Sequence, residues 1–139
     1  MIKVRRASLL LASLVLMCGT TQAEVAIIVN PANSAAISSE DIKSLFSGRQ
    51  KSFTDGKTAL ILALEEDNPT RTAFNNAVLG KTDAQTKAYW SKLLFTGKGT
   101  PPKEISASEM LQMVADNRNT IGYIDAASVN DTVKVVATF

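Results

Sequence analysis

The chain has 139 residues, with 15 basic and 13 acidic side chains, one cysteine and no histidine. This length predicts one domain whose core is large enough to fold without disulfides or metals. The absence of histidine excludes a serine-histidine-aspartate triad and any histidine-ligated zinc site.

The first 23 residues have the pattern of a secretory signal peptide. Lys3, Arg5 and Arg6 form a basic segment, residues 7–17 form an apolar one, and residues 21–23 form a small-x-small cleavage site. The apolar segment is too short to span a bilayer comfortably. We therefore expect cleavage after Ala23 and a periplasmic product with no stable membrane insertion.

Two alternatives remain open for this segment, an uncleaved anchor and a lipoprotein modified at Cys18. Removal of residues 1–23 would leave one domain, 24–139, with 12 basic and 13 acidic side chains and a net charge of −1. This charge gives no support for nucleic-acid binding. The domain would also lack cysteine, which excludes disulfides and cysteine nucleophiles.

The first half of the domain has the pattern of a strand, a helix and a second strand. Residues 25–29 are a continuous apolar run, which predicts a strand buried on both faces. Ser38 and Asp41 have capping-box spacing, and the apolar residues after them predict a helix that Gly48 ends. After a polar loop, residues 59–64 predict a central buried strand.

Three helices and two strands are predicted in the second half. One helix ends at Gly80, a second begins near Ala84 and stops before residues 97–102, and a third spans residues 106–115. Short strands are predicted at 121–124 and 133–136, the last at a sheet edge. The side chains expected to be buried on the second helix are Tyr89, Trp90, Leu93, Leu94 and Phe95. The order of elements favours an α/β fold with a mostly parallel sheet flanked by helices.

The turn between the 59–64 strand and the next helix is the strongest candidate for a ligand site. Asn68 is placed to cap the helix, Pro69 fits its first position, and Thr70 and Arg71 lie in its first turn. Free backbone N–H groups and the positive end of the helix dipole suit phosphate or a carboxylate. The alternative is an ordinary capped helix start whose arginine pairs with a glutamate at position 65 or 66.

Asn30, Asn33 and Ser34 follow the first predicted strand. Because carboxyl ends of parallel strands meet at one edge of a sheet, we expect these side chains to join the same site. The alternative is a polar turn with no ligand. Metal binding by the acidic run 65–67 is disfavoured because three adjacent side chains rarely face one point. No metal or cofactor is predicted.

Several segments of the chain, taken in order, resemble the periplasmic phosphate-binding proteins of ABC importers. These are residues 45–49, 53–57, 59–74, 90, 97–99 and 120–124. The domain as a whole resembles the short, single-lobed members of that phosphate-binding-protein-like family. The resemblance implies one lobe of a type II periplasmic-binding fold, with inorganic phosphate or a similar oxyanion as ligand. It also implies an ABC permease as partner. Because a single lobe would leave an anion half solvated, a second copy of the chain is the other expected partner.

The candidate turn departs from the family pattern. The family has a Gly-Ser-Gly-Thr segment preceded by a basic residue, and only Thr70 matches it here. The acidic residues 65–67 also place negative charge beside the expected anion. Two functions therefore remain open, a periplasmic solute-binding protein and an accessory or interaction domain that has kept the fold but lost its ligand. An enzyme is disfavoured because histidine, cysteine and a recognisable carboxylate pair are missing.

Overall fold

The computed structural model describes residues 24–139, and the predicted signal peptide with Cys18 lies outside the described residues. The elements in chain order are β1 (Val25–Val29), α1 (Ser39–Phe46), β2 (Leu60–Leu64), α2 (Pro69–Phe74), a π-helical turn (Asn75–Leu79), α3 (Asp83–Phe95), β3 (Lys103–Ile105), α4 (Ala107–Asp116), β4 (Thr120–Asp125), a 3-10 turn (Ala126–Ser128) and β5 (Lys134–Thr138). In this part of the chain no helix is both long and apolar enough to cross a membrane.

The five strands form one sheet in the order β3-β2-β4-β1-β5. β2 is parallel to β3 and to β4, whereas β1 is antiparallel to both of its neighbours, β4 and β5. Four strands therefore share one direction and β1 alone runs against them. The predicted α/β lobe with a mostly parallel sheet is confirmed. The reversed direction of β1 nevertheless decides where the candidate site residues lie.

The core is built on the middle of this sheet. All of β1 and residues 120–124 of β4 are buried, as the apolar run at 25–29 predicts. β2 has a neighbour on each side, but only its second half is buried, since Leu62 is fully buried and Leu60 is 43% exposed. α4 packs directly on β4, where a Cβ on Gly122 would overlap the sulfur of Met110. A side chain at this position would therefore require the thioether end of Met110 to move.

The prediction for α3 is wrong at its carboxyl end. Leu94 is 59% exposed and Phe95 is 93% exposed. Thr86 and Trp90 are buried one turn apart, so the inner face of the helix follows the 86–90–93 line and the next two residues rotate away from it. Trp90 packs against the turn at Gly48, where an added Cβ would lie 3.0 Å from the ring. Trp90 is buried but is not part of the main hydrophobic core.

Helix starts follow the sequence closely. Ser38 and Asp41 form the predicted capping box of α1, and Ser106 and Glu109 form a second one at the start of α4. A third box, between Thr82 and the residue three positions later, opens α3. Each box satisfies two backbone N–H groups that would otherwise lack partners, which explains why these three helices begin where they do.

Asp83 joins the start of α3 to α2. Its carboxylate accepts hydrogen bonds from the Thr72 hydroxyl at 2.6 Å and from the Asn75 amide at 2.9 Å. These bonds hold the pKa of Asp83 below its ordinary value, the Thr72 bond most strongly. The bonds therefore contribute stability above the unfolded-state pKa of about 4, and the contribution is lost as pH falls toward the folded-state pKa.

We expect Asp83→Asn to lower the urea midpoint at neutral pH and to have a much smaller effect at about pH 3, below the unfolded-state pKa. Urea unfolding of both proteins at the two pH values measures this. Thr72→Val, which removes the main hydrogen-bond donor, should show the same pH dependence. A deficit of equal size at both pH values would mean that ionised Asp83 does not stabilise the fold.

Candidate functional site

The turn after β2 is a capped helix start, as predicted. The Asn68 side-chain oxygen accepts a hydrogen bond from the Thr70 backbone N–H at 2.9 Å, and Pro69 occupies the first helical position. The Arg71 N–H donates to the Asn68 carbonyl at 3.0 Å. Thr70 itself is buried. These two N–H groups, expected to face an anion, are thus already used within the turn.

The Arg71 guanidinium has protein partners as well. Its Nη1 donates to the Leu64 carbonyl at 2.9 Å and to Glu104 Oε1 at 2.6 Å. The arginine is 15% exposed and the glutamate 46%, so the pair lies at the surface with its positive end the more covered. The alternative prediction, an ion pair between Arg71 and a glutamate at 65 or 66, is wrong in its partner. Glu104 takes that place because β3 pairs in parallel with the end of β2.

The space beside this ion pair is small. Arg71, Phe74, Glu104 and Tyr123 are among the residues around a cavity of about 30 Å³, which is about the volume of one water molecule in the liquid. The Tyr123 hydroxyl accepts a hydrogen bond from the Leu64 N–H at 3.2 Å, and burial raises the pKa of this tyrosine above its usual value. An oxyanion would therefore have to bind outside the cavity and compete with Glu104.

The expected convergence of the two predicted loops is wrong. Val29, at the end of β1, lies opposite Ile121 in β4, and Ile121 lies opposite Ile61 near the start of β2. Asn30, which follows β1, is thus at the amino end of β2, whereas Asn68 follows its carboxyl end. The antiparallel direction of β1 is the cause.

Asn30, Asn33 and Ser34 instead belong to a separate loop. The buried Asn30 amide donates to the carbonyls of residues 114 and 115, at 3.0 and 2.8 Å, and so caps the carboxyl end of α4. The Asn33 side chain accepts from the Ala35 N–H, and its carbonyl accepts from Lys134 Nζ at 3.0 Å. Ser34 is exposed. The hydrogen bonds that Asn30 and Asn33 make within the protein are those of a polar turn.

A cavity of about 550 Å³ lies at the amino end of β2 and was not anticipated from the sequence. Its wall is mainly apolar and includes Leu60, Trp90 and Leu94, and Lys51 and Lys98 also line it. Among residues 24–139, no group of three histidine, cysteine or acidic residues is arranged to hold a metal.

No protein-family profile and no curated sequence matches the chain. Solved structures of similar fold were found, and they agree with one another. Among solved structures, an ABC-type phosphate transport receptor from Vibrio cholerae is 22% identical with a TM-score of 0.63, over 82% of this chain and 46% of that one. PstS from Borrelia burgdorferi is 13% identical with a TM-score of 0.61, over 83% and 47% of the two chains.

A third similar structure was solved with bound phosphate. It is assigned as a phosphate ABC transporter substrate-binding protein from Clostridium perfringens, and it is 21% identical with a TM-score of 0.61 over 82% of this chain. This chain spans less than half the length of each of these proteins. The predicted resemblance is confirmed at the level of the fold, that of one lobe of a phosphate-binding protein.

Proposed function

We propose that this chain is a periplasmic solute-binding protein for phosphate or a related oxyanion, without enzymatic activity. The observation that carries the proposal is the position of Thr70 and Arg71 in a lobe of this fold. They follow the carboxyl end of β2, which is parallel to both of its neighbours. Ligands of α/β sheets bind at that edge, and Arg71 brings a cation to it.

The proposed site is half of a complete one. A single lobe leaves an anion solvated on one side, and the 30 Å³ cavity beside Arg71 cannot enclose it. Affinity should therefore be weak in a lone chain and rise when a second surface covers the anion. A second copy of the chain, or the permease of an ABC phosphate importer, would supply that surface.

Export is part of the proposal. A leader at residues 1–23, removed after Ala23, would deliver the domain 24–139 to the periplasm, where a substrate-binding protein works. Intact-mass analysis of the exported protein should give a chain that begins at Glu24. A mass that begins at a lipidated Cys18, or one that retains Met1, would contradict it.

The second candidate is an accessory or interaction domain that has kept the lobe and lost the ligand. The observation that favours it is the pairing of Arg71 with Glu104, which neutralises the cation that the anion would need. The exposed side chains of Leu94 and Phe95 add an apolar surface of the kind that protein partners cover. Anion titration separates the two candidates.

We expect Glu104→Gln to strengthen phosphate binding, because it removes the charge that competes for Arg71. Arg71→Ala should weaken binding by about 1.5–3 kcal/mol, the value of a hydrogen bond to a charged group. Glu66→Gln should also strengthen binding by removing negative charge near the turn. Calorimetry with phosphate and with sulfate measures all three changes.

Arg118→Ala is the control, since this exposed arginine precedes β4 at the other end of the sheet and should leave binding unchanged. Thermal melts of each variant show whether Arg71→Ala acts through the fold, because Arg71 also binds the Leu64 carbonyl. If wild type shows no heat at millimolar anion and Glu104→Gln creates none, the solute-binding proposal fails and the accessory-domain candidate stands.

A further inference from the structure

A cleft of about 220 Å³ lies beside the end of α1, the π-helical turn and α3. We call it the basic cleft, and its lining residues are Lys43, Ser47, Arg49, Leu79, Lys81 and Tyr89. Three of these six side chains are cations and none is a carboxylate. The ion pairs found within residues 24–139 join Lys57 to Asp55 and Arg71 to Glu104, so the three cations of the cleft have no acidic partner there.

Two sides of the basic cleft are held by specific contacts. The Tyr89 hydroxyl donates to the Ser47 carbonyl at 2.5 Å, which ties α3 to the end of α1. The Arg49 N–H donates to the Ser44 carbonyl at 3.0 Å, which fixes the backbone from which the arginine extends. Lys81 Nζ lies 5.4 Å from the centre of the Tyr89 ring, within range of a cation–π contact.

The negative carboxyl ends of two helices neutralise only part of the positive charge of the basic cleft. α1 and the π-helical turn both end at the basic cleft, at Phe46 and Leu79. Each carboxyl end carries about half a negative charge, and lysine or arginine side chains are favourable beside it. Two such ends together offset about one of the three positive charges, so a net charge of about +2 remains.

We propose that the basic cleft binds a small, doubly charged inorganic oxyanion, independently of the turn at residues 65–71. Its volume of about 220 Å³ is below the range of about 300–1,000 Å³ that is usual for organic ligands, which favours an inorganic ion. The basic cleft and the site of the proposed function would both bind oxyanions, but they are separate sites. The positive charges of the basic cleft come from other residues. At the turn Arg71 is paired with a carboxylate, whereas Lys43, Arg49 and Lys81 are not.

Sulfate and nitrate at matched ionic strength are suitable probes, because they are oxyanions of different charge. Titration of isotope-labelled protein, expressed as the full chain, is followed through backbone amide shifts in NMR spectra. Sulfate should shift the amides of Ser47, Arg49 and Lys81 saturably, and nitrate should bind more weakly. Arg49→Gln and Lys81→Gln should each raise the sulfate Kd by about threefold to fivefold, as expected for one exposed charge pair.

Lys87→Gln is the matched control for Lys81→Gln, since Lys87 is an exposed lysine of α3 that does not line the basic cleft. It should leave the Kd unchanged. The proposal is overturned if sulfate leaves the amides at 47–49 and 81 unmoved, if nitrate binds as tightly as sulfate, or if Lys87→Gln weakens binding as much as Lys81→Gln.

The same spectra test the two sites separately. Shifts at residues 68–71 with none in the basic cleft would retain the proposed function and overturn this inference. Shifts in the basic cleft alone would support the inference and count against the turn as the anion site.

Discussion

Leu62→Ala is expected to lower the free energy of unfolding by about 2–5 kcal/mol, the usual cost of truncating a buried leucine. Leu62 is fully buried in β2, between β3 and β4. Truncation would remove apolar contacts and leave a cavity that the two neighbouring strands prevent from collapsing. Urea unfolding measures the loss, and an unchanged m-value would show that the folded and unfolded states expose the same surface as before.

Leu60→Ala is the matched control, because it makes the same change in the same strand at a side chain that is 43% exposed. Its cost should be near that of a surface substitution, about 0.5 kcal/mol. If Leu62→Ala costs less than about 1 kcal/mol, half the lower bound for a buried leucine, then β2 is not part of the core.

Elements whose structure is determined by neighbouring residues in the sequence could be predicted. The continuous apolar run at 25–29 and the spacing of Ser38 with Asp41 or Ser106 with Glu109 fix local structure without reference to distant parts of the chain. β3 could not be predicted, because two of its three residues, Lys103 and Glu104, are exposed and charged. It becomes a strand by pairing with β2, from which it is distant in sequence.

The direction of β1 is the second property that the sequence leaves undetermined. An apolar run fits a strand of either direction, and the antiparallel pairing with β4 and β5 is made with the far end of the chain. The predicted site failed at this point, because the convergence of Asn30 with Asn68 required β1 and β2 to be parallel. The partner of Arg71 was missed for the same reason, since Glu104 is brought near only by β3.

Phe74→Ala is expected to have the second large effect, a loss of about 3–5 kcal/mol in the free energy of unfolding. The Phe74 ring is buried and stacks on Tyr123, with centroids 3.9 Å apart and planes 4° apart. Its centroid is also 4.8 Å from that of Phe46, in an edge-to-face arrangement. Truncation would therefore remove both aromatic contacts together with the buried apolar area.

Phe95→Ala makes the same change at a ring that is 93% exposed, and it should alter the free energy of unfolding by no more than about 0.5 kcal/mol. The comparison also bears on the candidate site, because Phe74 holds α2 on β4 and α2 carries Arg71. If the two substitutions cost the same, aromatic packing does not position α2. The position of Arg71 would then depend mainly on its bonds to Glu104 and the Leu64 carbonyl. In that case Glu104→Gln would disorder the site instead of freeing the Arg71 guanidinium.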